Sequence, residues 1–325
     1  FFSRFHRGDF GVSVGGRYGW RVLSALARWL YFQGGDYDYF SRYVVDPLYA
    51  YMLFGHYFVL RYVIKPKRKT DKQWHLLRSL YSLSTLFSAQ RKLHWSRLSK
   101  VGLLTLCVKI FYVPLVCSWT INNIFHQRFL TSTFEWNFMK IQGYAVASLI
   151  FIDVAVFTFG YLVELPSLNN QIKSVEPTLF GWVVCLMCYP PFNSFSFVIF
   201  DYSLLDHHAP STGFWRRFCL ALVAILWAIY TWASVALGPR ASNLTSRGVV
   251  RTGPYAYVRH PAYISKTMLW AASAFFLGDR KFFMVLGLIL VYGLRAWTEE
   301  RHLSHDPEYA EYKKQVPYRF IPWVF

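Results

Sequence analysis

The chain has 325 residues, of which 54% are hydrophobic, 20% aromatic and only 16% charged, a balance too apolar for an ordinary soluble domain. Its formal net charge of +18 does not point to nucleic acid, because the basic residues fall between apolar runs rather than along one face of a globular domain. Cys107, Cys117, Cys185, Cys188 and Cys219 all lie inside apolar runs, which argues against a secreted disulfide framework and for packing of small hydrophobes.

The apolar runs are continuous rather than alternating, and backbone polar groups in lipid must be satisfied within the spanning element. The expected fold is therefore all-α, a polytopic transmembrane helical bundle. Five long spans and a C-terminal helical hairpin are predicted, with amphipathic surface helices beside them. Residues 1–42 place Trp20, Leu23, Leu26 and Leu30 opposite Arg17, Arg21 and Arg28, the pattern of an interfacial helix. No signal-peptide pattern is visible at the start.

The first span is predicted at about 44–64, with Pro47 in its first turn. Residues 65–100 then carry ten Lys/Arg against one Asp. This segment is expected on the cytoplasmic side, facing anionic lipid headgroups. Further spans are predicted at about 101–121, 143–165, 179–200 and 218–237. The last apolar region, 264–297, is interrupted by Gly278-Asp279-Arg280-Lys281 and reads as a hairpin. Three parts follow: residues 1–100 (interfacial helix, first span, basic segment), 101–238 (the bundle) and 239–325 (a C-terminal module).

Counting crossings from a cytoplasmic 65–100 segment puts loops 122–142 and 201–217 outside. Residues 166–178, 238–263 and 298–325 then fall inside. Among ionisable residues within spans, Asp153 is the best buried candidate, followed by Lys109 and His56, and an interhelical pair accounts for them without catalysis. Asn193 follows Pro190-Pro191, as at a helix kink. Asp201, Asp206, His207 and His208 form the one plausible metal-ligand group, but adjacent histidines rarely converge on one ion and no metal is expected. The sequon at Asn243 falls on the cytoplasmic side, where it would not be glycosylated.

Two polar islands in the last third carry the chemistry. In Gly253-Pro-Tyr-Ala-Tyr-Val-Arg-His-Pro-Ala-Tyr263 the Gly-Pro step displays tyrosines from a turn, Arg259 and His260 supply donors, and Pro261 opens the next helix. Tyr255, Tyr257 and Tyr263 offer faces to an adenine ring or a sulfonium. Glu299 and Glu300 stand where the last apolar run ends, and Arg295 shares a helix face with Glu299 at a spacing of four.

These two islands, with the ending EYAEYKKQVPYRFIP, resemble the C-terminal signature of the isoprenylcysteine carboxyl methyltransferase family, shared more loosely with membrane phospholipid N-methyltransferases. The resemblance covers about residues 239–325. It implies a membrane helical bundle that uses S-adenosyl-L-methionine and takes a lipid-like acceptor from the bilayer. By position, Tyr255, Val258, His260, Pro261, Tyr263, Glu299 and Glu300 would enclose the cofactor at the cytoplasmic face. Arg295 would orient the acceptor group or the cofactor carboxylate, and Glu299 would act as a base only for an amine acceptor. Ser265 and Lys266 depart from the family pattern, which has Gly after the tyrosine.

The membrane would be a bacterial inner membrane or the endoplasmic reticulum. The closing VPYRFIPWVF also resembles sterol reductases, which use NADPH. A third reading is a non-enzymatic membrane scaffold or transporter.

Overall fold

The computed structural model describes residues 75, 96–132, 136–190, 192, 214–275 and 282–322. The predicted N-terminal helix, the 44–64 span, His56, most of the 65–100 segment, Asn193 and the Asp201 to His208 group lie outside these residues. So do residues 278–281.

The described chain is mostly helical. Helix α1 runs Arg97–Ser132, α2 Phe138–Leu162, α3 Leu179–Leu186, α4 Phe214–Leu237, α5 Pro261–Phe275, α6 Phe282–Leu303 and α7 Pro307–Gln315. Among the described residues, three stretches, Arg97–Ser132, Lys140–Leu162 and Arg217–Arg240, are long and apolar enough to cross a membrane. Helix α1 continues well beyond the predicted 121 because residues 122–132 contain neither Gly nor Pro. Its polar end shortens the expected 122–142 loop to a few residues before Asn137, whose side chain caps α2 by accepting from Lys140 N at 2.9 Å. Within the expected 179–200 span, the helix described ends at Leu186.

The bundle is joined by polar contacts inside an apolar surround, where such bonds have no water to compete with them. Thr120 and Thr158 hydroxyls lie 2.8 Å apart between α1 and α2. Thr231 of α4 donates to Leu149 O at 3.1 Å, and Ser234 donates to Asp153. Lys109 pairs with Glu164 at 3.1 Å, both largely buried. Asp153 is thus accounted for by an interhelical contact, and Lys109 by a pair with Glu164 just beyond the end of α2. Around Lys109 a core of Val108, Tyr112, Val113 and Leu115 packs against Tyr161, with Tyr112 and Tyr161 rings stacked at 5.0 Å.

Two short strands tie the loops together at one end of the bundle. Strand β1, Ser174–Val175, pairs antiparallel with β2, Thr245–Ser246. The segments after α2 and after α4 therefore meet on the same side. The polar end of α6 joins them: Arg301 reaches Glu176 at 2.9 Å, and Ser174 Oγ lies 2.9 Å from His302 Nε2. Close approach of this layer to α2 requires Gly160, because a Cβ there would collide with the backbone oxygen of Ala241.

Candidate functional site

The segment 253–263 is built as the sequence dictates. Gly253 adopts φ +62°, the left-handed region that favours glycine, and residues 253–256 form a single 3₁₀ turn. Pro261 is the first residue of α5. The C-terminal tail binds alongside the residues between them, with Arg259 N donating to Tyr318 O and His260 N to Arg319 O, each at 3.0 Å.

One carboxylate fastens this corner. Glu300, 2% exposed, accepts from Arg259 Nε at 2.8 Å and Arg319 Nη2 at 3.0 Å, with His260 Nε2 3.1 Å away. Burial alone would raise the Glu300 carboxyl, but the hydrogen bonds from His260, Arg319 and Arg259 override it and hold the group well below the usual carboxylate range. Arg259 also donates to Val316 O and Pro317 O at 2.9 and 2.7 Å. Tyr312 of α7 donates to Tyr255 O at 2.7 Å, so α7 is pinned over the same corner.

Beside the corner lies a cavity between the bundle and the loop layer. Its walls include Tyr255, His260, Tyr263, Arg295 and Glu299, together with Tyr189, Asn243, Arg247, Lys266, Tyr292 and Tyr312. The space between the walls, with the open solvent at its mouth included, is about 1110 Å³. Phe157 and Leu237 add an apolar wall from α2 and α4. Tyr263 donates to Glu299 Oε2 at 2.5 Å, and its ring stacks on His260 at 5.2 Å. Burial, then the nearby Glu299 charge, pushes the Tyr255 hydroxyl well above its ordinary value, so it stays protonated.

Arg295 is 5% exposed and its guanidinium sits over Tyr263, Tyr189 and Tyr292 at 5.0, 5.3 and 5.8 Å. It donates to Asn243 Oδ1 and to Tyr189 Oη. Asn243 in turn donates from N and Nδ2 to Tyr161 Oη at 2.7 and 2.9 Å. A continuous chain of contacts thus runs from the core tyrosines through Asn243 and Arg295 to Tyr263 and Glu299.

Of the residues singled out from sequence, Tyr255, His260, Tyr263, Arg295 and Glu299 come together at the cavity wall. Val258, Pro261 and Glu300 stand behind it, and Tyr257 points outward, 67% exposed. Ser265, which replaces the usual Gly, is accommodated by donating to Pro261 O at 2.8 Å. Lys266 lies 5.4 to 5.9 Å from the rings of Tyr230, Trp270 and Tyr292. Sequence reasoning missed Tyr189, Asn243, Arg247 and Tyr292. Asn243 was visible only as a sequon, and Tyr189 sits more than a hundred residues from its partner.

The described chain is thus a mostly helical bundle with three stretches long and apolar enough to cross a membrane, and a cation-rich, aromatic cavity lies at one end of it. The family model of phospholipid methyltransferase matches residues 215–308, from the start of α4 into α7, which supplies most of that cavity. No curated protein matches the chain. The match points to a membrane methyltransferase.

Proposed function

We propose that this chain uses S-adenosyl-L-methionine to methylate a lipid-like acceptor drawn from the bilayer, at a cavity that opens to the cytoplasm. The observation that carries the reading is the convergence of Tyr263, Glu299 and Arg295 on one cavity wall, inside the stretch that matches the methyltransferase family. The orientation rests on the basic residues of the loop layer, Lys173, Arg240, Arg247 and Arg251.

The residues present fit the cofactor. A carboxylate accepts several hydrogen bonds, so the one that Tyr263 gives Glu299 leaves capacity for ribose hydroxyls or an amino group. Tyr189, Tyr263 and Tyr292 present ring faces suited to an adenine or a sulfonium. S-adenosylmethionine supplies a methyl on a sulfonium leaving group, and its transfer needs alignment and exclusion of water more than covalent help.

The chain's own groups provide both. Tyr263, its ring stacked on His260, fixes Glu299 in place, while Glu300 locks the 259–263 segment to the C-terminal tail. Helix α7, through Tyr309 and Tyr312, covers the cavity against water. Arg295, held by Asn243 and Tyr189, orients the acceptor head; a carboxylate acceptor is already nucleophilic, whereas an amine gives up a proton that Glu299 can take. The apolar wall of Phe157 and Leu237 receives the acceptor's chain.

Incubating the purified chain with a lipid extract and a labelled methyl donor tests the reading. Label in a chloroform-soluble product, absent in the Glu299→Ala variant, supports it; no label in any lipid with folded protein contradicts it.

A further inference from the structure

One amine reaches the cavity without a partner among the described residues. Lys266 of α5 lies about one turn beyond Tyr263 and lines the same cavity. Half-buried, it makes no hydrogen bond or ion pair through Nζ to any described residue, yet protein does not seal this atom off as it seals Nε and Nη2 of Arg247. The amine is therefore open to the cavity. Three rings stand near it: Tyr230 of α4, Trp270 of α5 and Tyr292 of α6 lie 5.4, 5.5 and 5.9 Å from Nζ. Arg295 shares the Tyr292 ring at 5.8 Å. The carboxylate that bears on Lys266 electrostatically is Asp153 of α2, held in place by the Ser234 hydroxyl.

Arg295 and Lys266 differ in kind. A guanidinium keeps its proton, whereas a lysine kept from water beside a second cation is the setting in which an amine acts as a nucleophile rather than as a fixed charge. For that amine to hold a carbonyl compound as an imine, the charge of the protonated product must be met. Asp153 supplies the opposite charge, and the faces of Tyr230, Trp270 and Tyr292 favour a cation of any kind. Room is needed as well. Phe157 lies one turn beyond Asp153 on α2, and Leu237 two turns beyond Tyr230 on α4. The apolar part of the cavity lining therefore begins beside the same corner.

We propose that Lys266 is a reversible covalent modification site: its Nζ forms an imine with a long-chain aliphatic aldehyde whose alkyl chain lies along Phe157 and Leu237. The amine nitrogen attacks the carbonyl carbon, a C–N bond forms, and one N–H proton passes to the carbonyl oxygen. The hydroxyl group then leaves with the second N–H proton as one water, which breaks the C–O bond and leaves C=N. No oxidant or reductant takes part. The imine takes up a proton and rests among the three rings with Asp153 as its counter-charge. An adduct there also fills space assigned above to the methyl acceptor, but its formation does not depend on that assignment.

The test incubates the full chain in detergent with dodecanal near neutrality and adds sodium cyanoborohydride, which reduces an imine to a stable secondary amine. Peptide mass mapping then compares Lys266 with the exposed Lys100 and Lys173. One dodecyl group at Lys266, gained at least tenfold faster than at either exposed lysine, is the expected result. Lys266→Arg is expected to lose this fast adduct and keep the slow background. Since that variant can also disturb the ring cluster, a second measurement leaves the wild-type chain intact. With propanal, too short to use the Phe157 and Leu237 wall, the rate ratio of Lys266 to Lys100 is expected to fall at least tenfold.

Modification of Lys266 no faster than that of Lys100 and Lys173 overturns the proposal. So does an unchanged ratio with propanal, or a fast adduct that survives in Lys266→Arg. A chain that binds no S-adenosylhomocysteine yet traps dodecanal at Lys266 overturns the methyltransferase reading and supports this one.

Discussion

Glu299 and Glu300 are neighbours in sequence with separate partners: Glu299 lines the cavity and accepts from Tyr263 at 2.5 Å, while Glu300 stands behind the wall and accepts from Arg259 at 2.8 Å. Successive residues on a helix are about 100° apart, so one carboxylate serves the cavity while the next holds the frame. Their substitutions should separate function from stability. Glu299→Gln should keep the wild-type Tm within a few degrees and weaken S-adenosylhomocysteine binding about tenfold. Glu300→Ala leaves Arg259 buried without its carboxylate and should cost about 3–5 kcal/mol. Most of that comes from Arg259, because Arg319 and Lys313 are partly exposed and screened. Thermal unfolding and calorimetry on the two variants check both.

Acid should reveal the same carboxylate. Glu300 has a depressed native pKa, so its contribution is present above the ordinary value of 4.5 and is lost as pH falls through and below it. The Tm gap between wild type and Glu300→Gln should be widest near neutrality and shrink from about pH 5 downward. A gap that grows in acid contradicts the assignment.

Arg295 acts as a planar, stacked fork among three tyrosines. Arg295→Lys keeps the charge but loses the geometry, so it should not rescue. Methyl transfer by both Arg295→Lys and Arg295→Ala should fall by about two orders of magnitude, the scale on which misplaced reacting groups cost rate. Asn243→Ala, which removes one support, should give an intermediate loss. Steady-state kinetics with a labelled donor reads the series.

Gly160→Ala tests the seat of the loop layer. The added methyl would meet the Ala241 backbone oxygen, which cannot rotate away as a side chain would. Overpacking of this kind costs about 1–3 kcal/mol. The variant should unfold earlier and also bind S-adenosylhomocysteine less tightly, because Ser242, Asn243 and Arg247 move with the loop.

What the sequence made legible was local. Apolar runs marked α1, α2 and α4, Gly253-Pro254 marked the turn, and Pro261 marked the start of α5. Arg295 and Glu299 share a face because their spacing is helical. The interruption near 278 separates two helices that flank it, α5 and α6. The rest depends on contacts between distant segments, which leave no periodic trace. The pairing of Ser174 with Ser246 involves two-residue strands, too short to alternate. Arg301 with Glu176 is 125 residues apart. Asn243 presented itself as a sequon and is instead a buried link between Tyr161 and Arg295.

The most direct test is a calorimetric titration of the purified full chain with S-adenosylhomocysteine and, separately, with NADPH. The account predicts saturable binding of S-adenosylhomocysteine, weakened at least tenfold in Tyr263→Phe and Glu299→Ala, and no binding of NADPH. Binding of NADPH in place of S-adenosylhomocysteine, or of neither by folded protein, would contradict it.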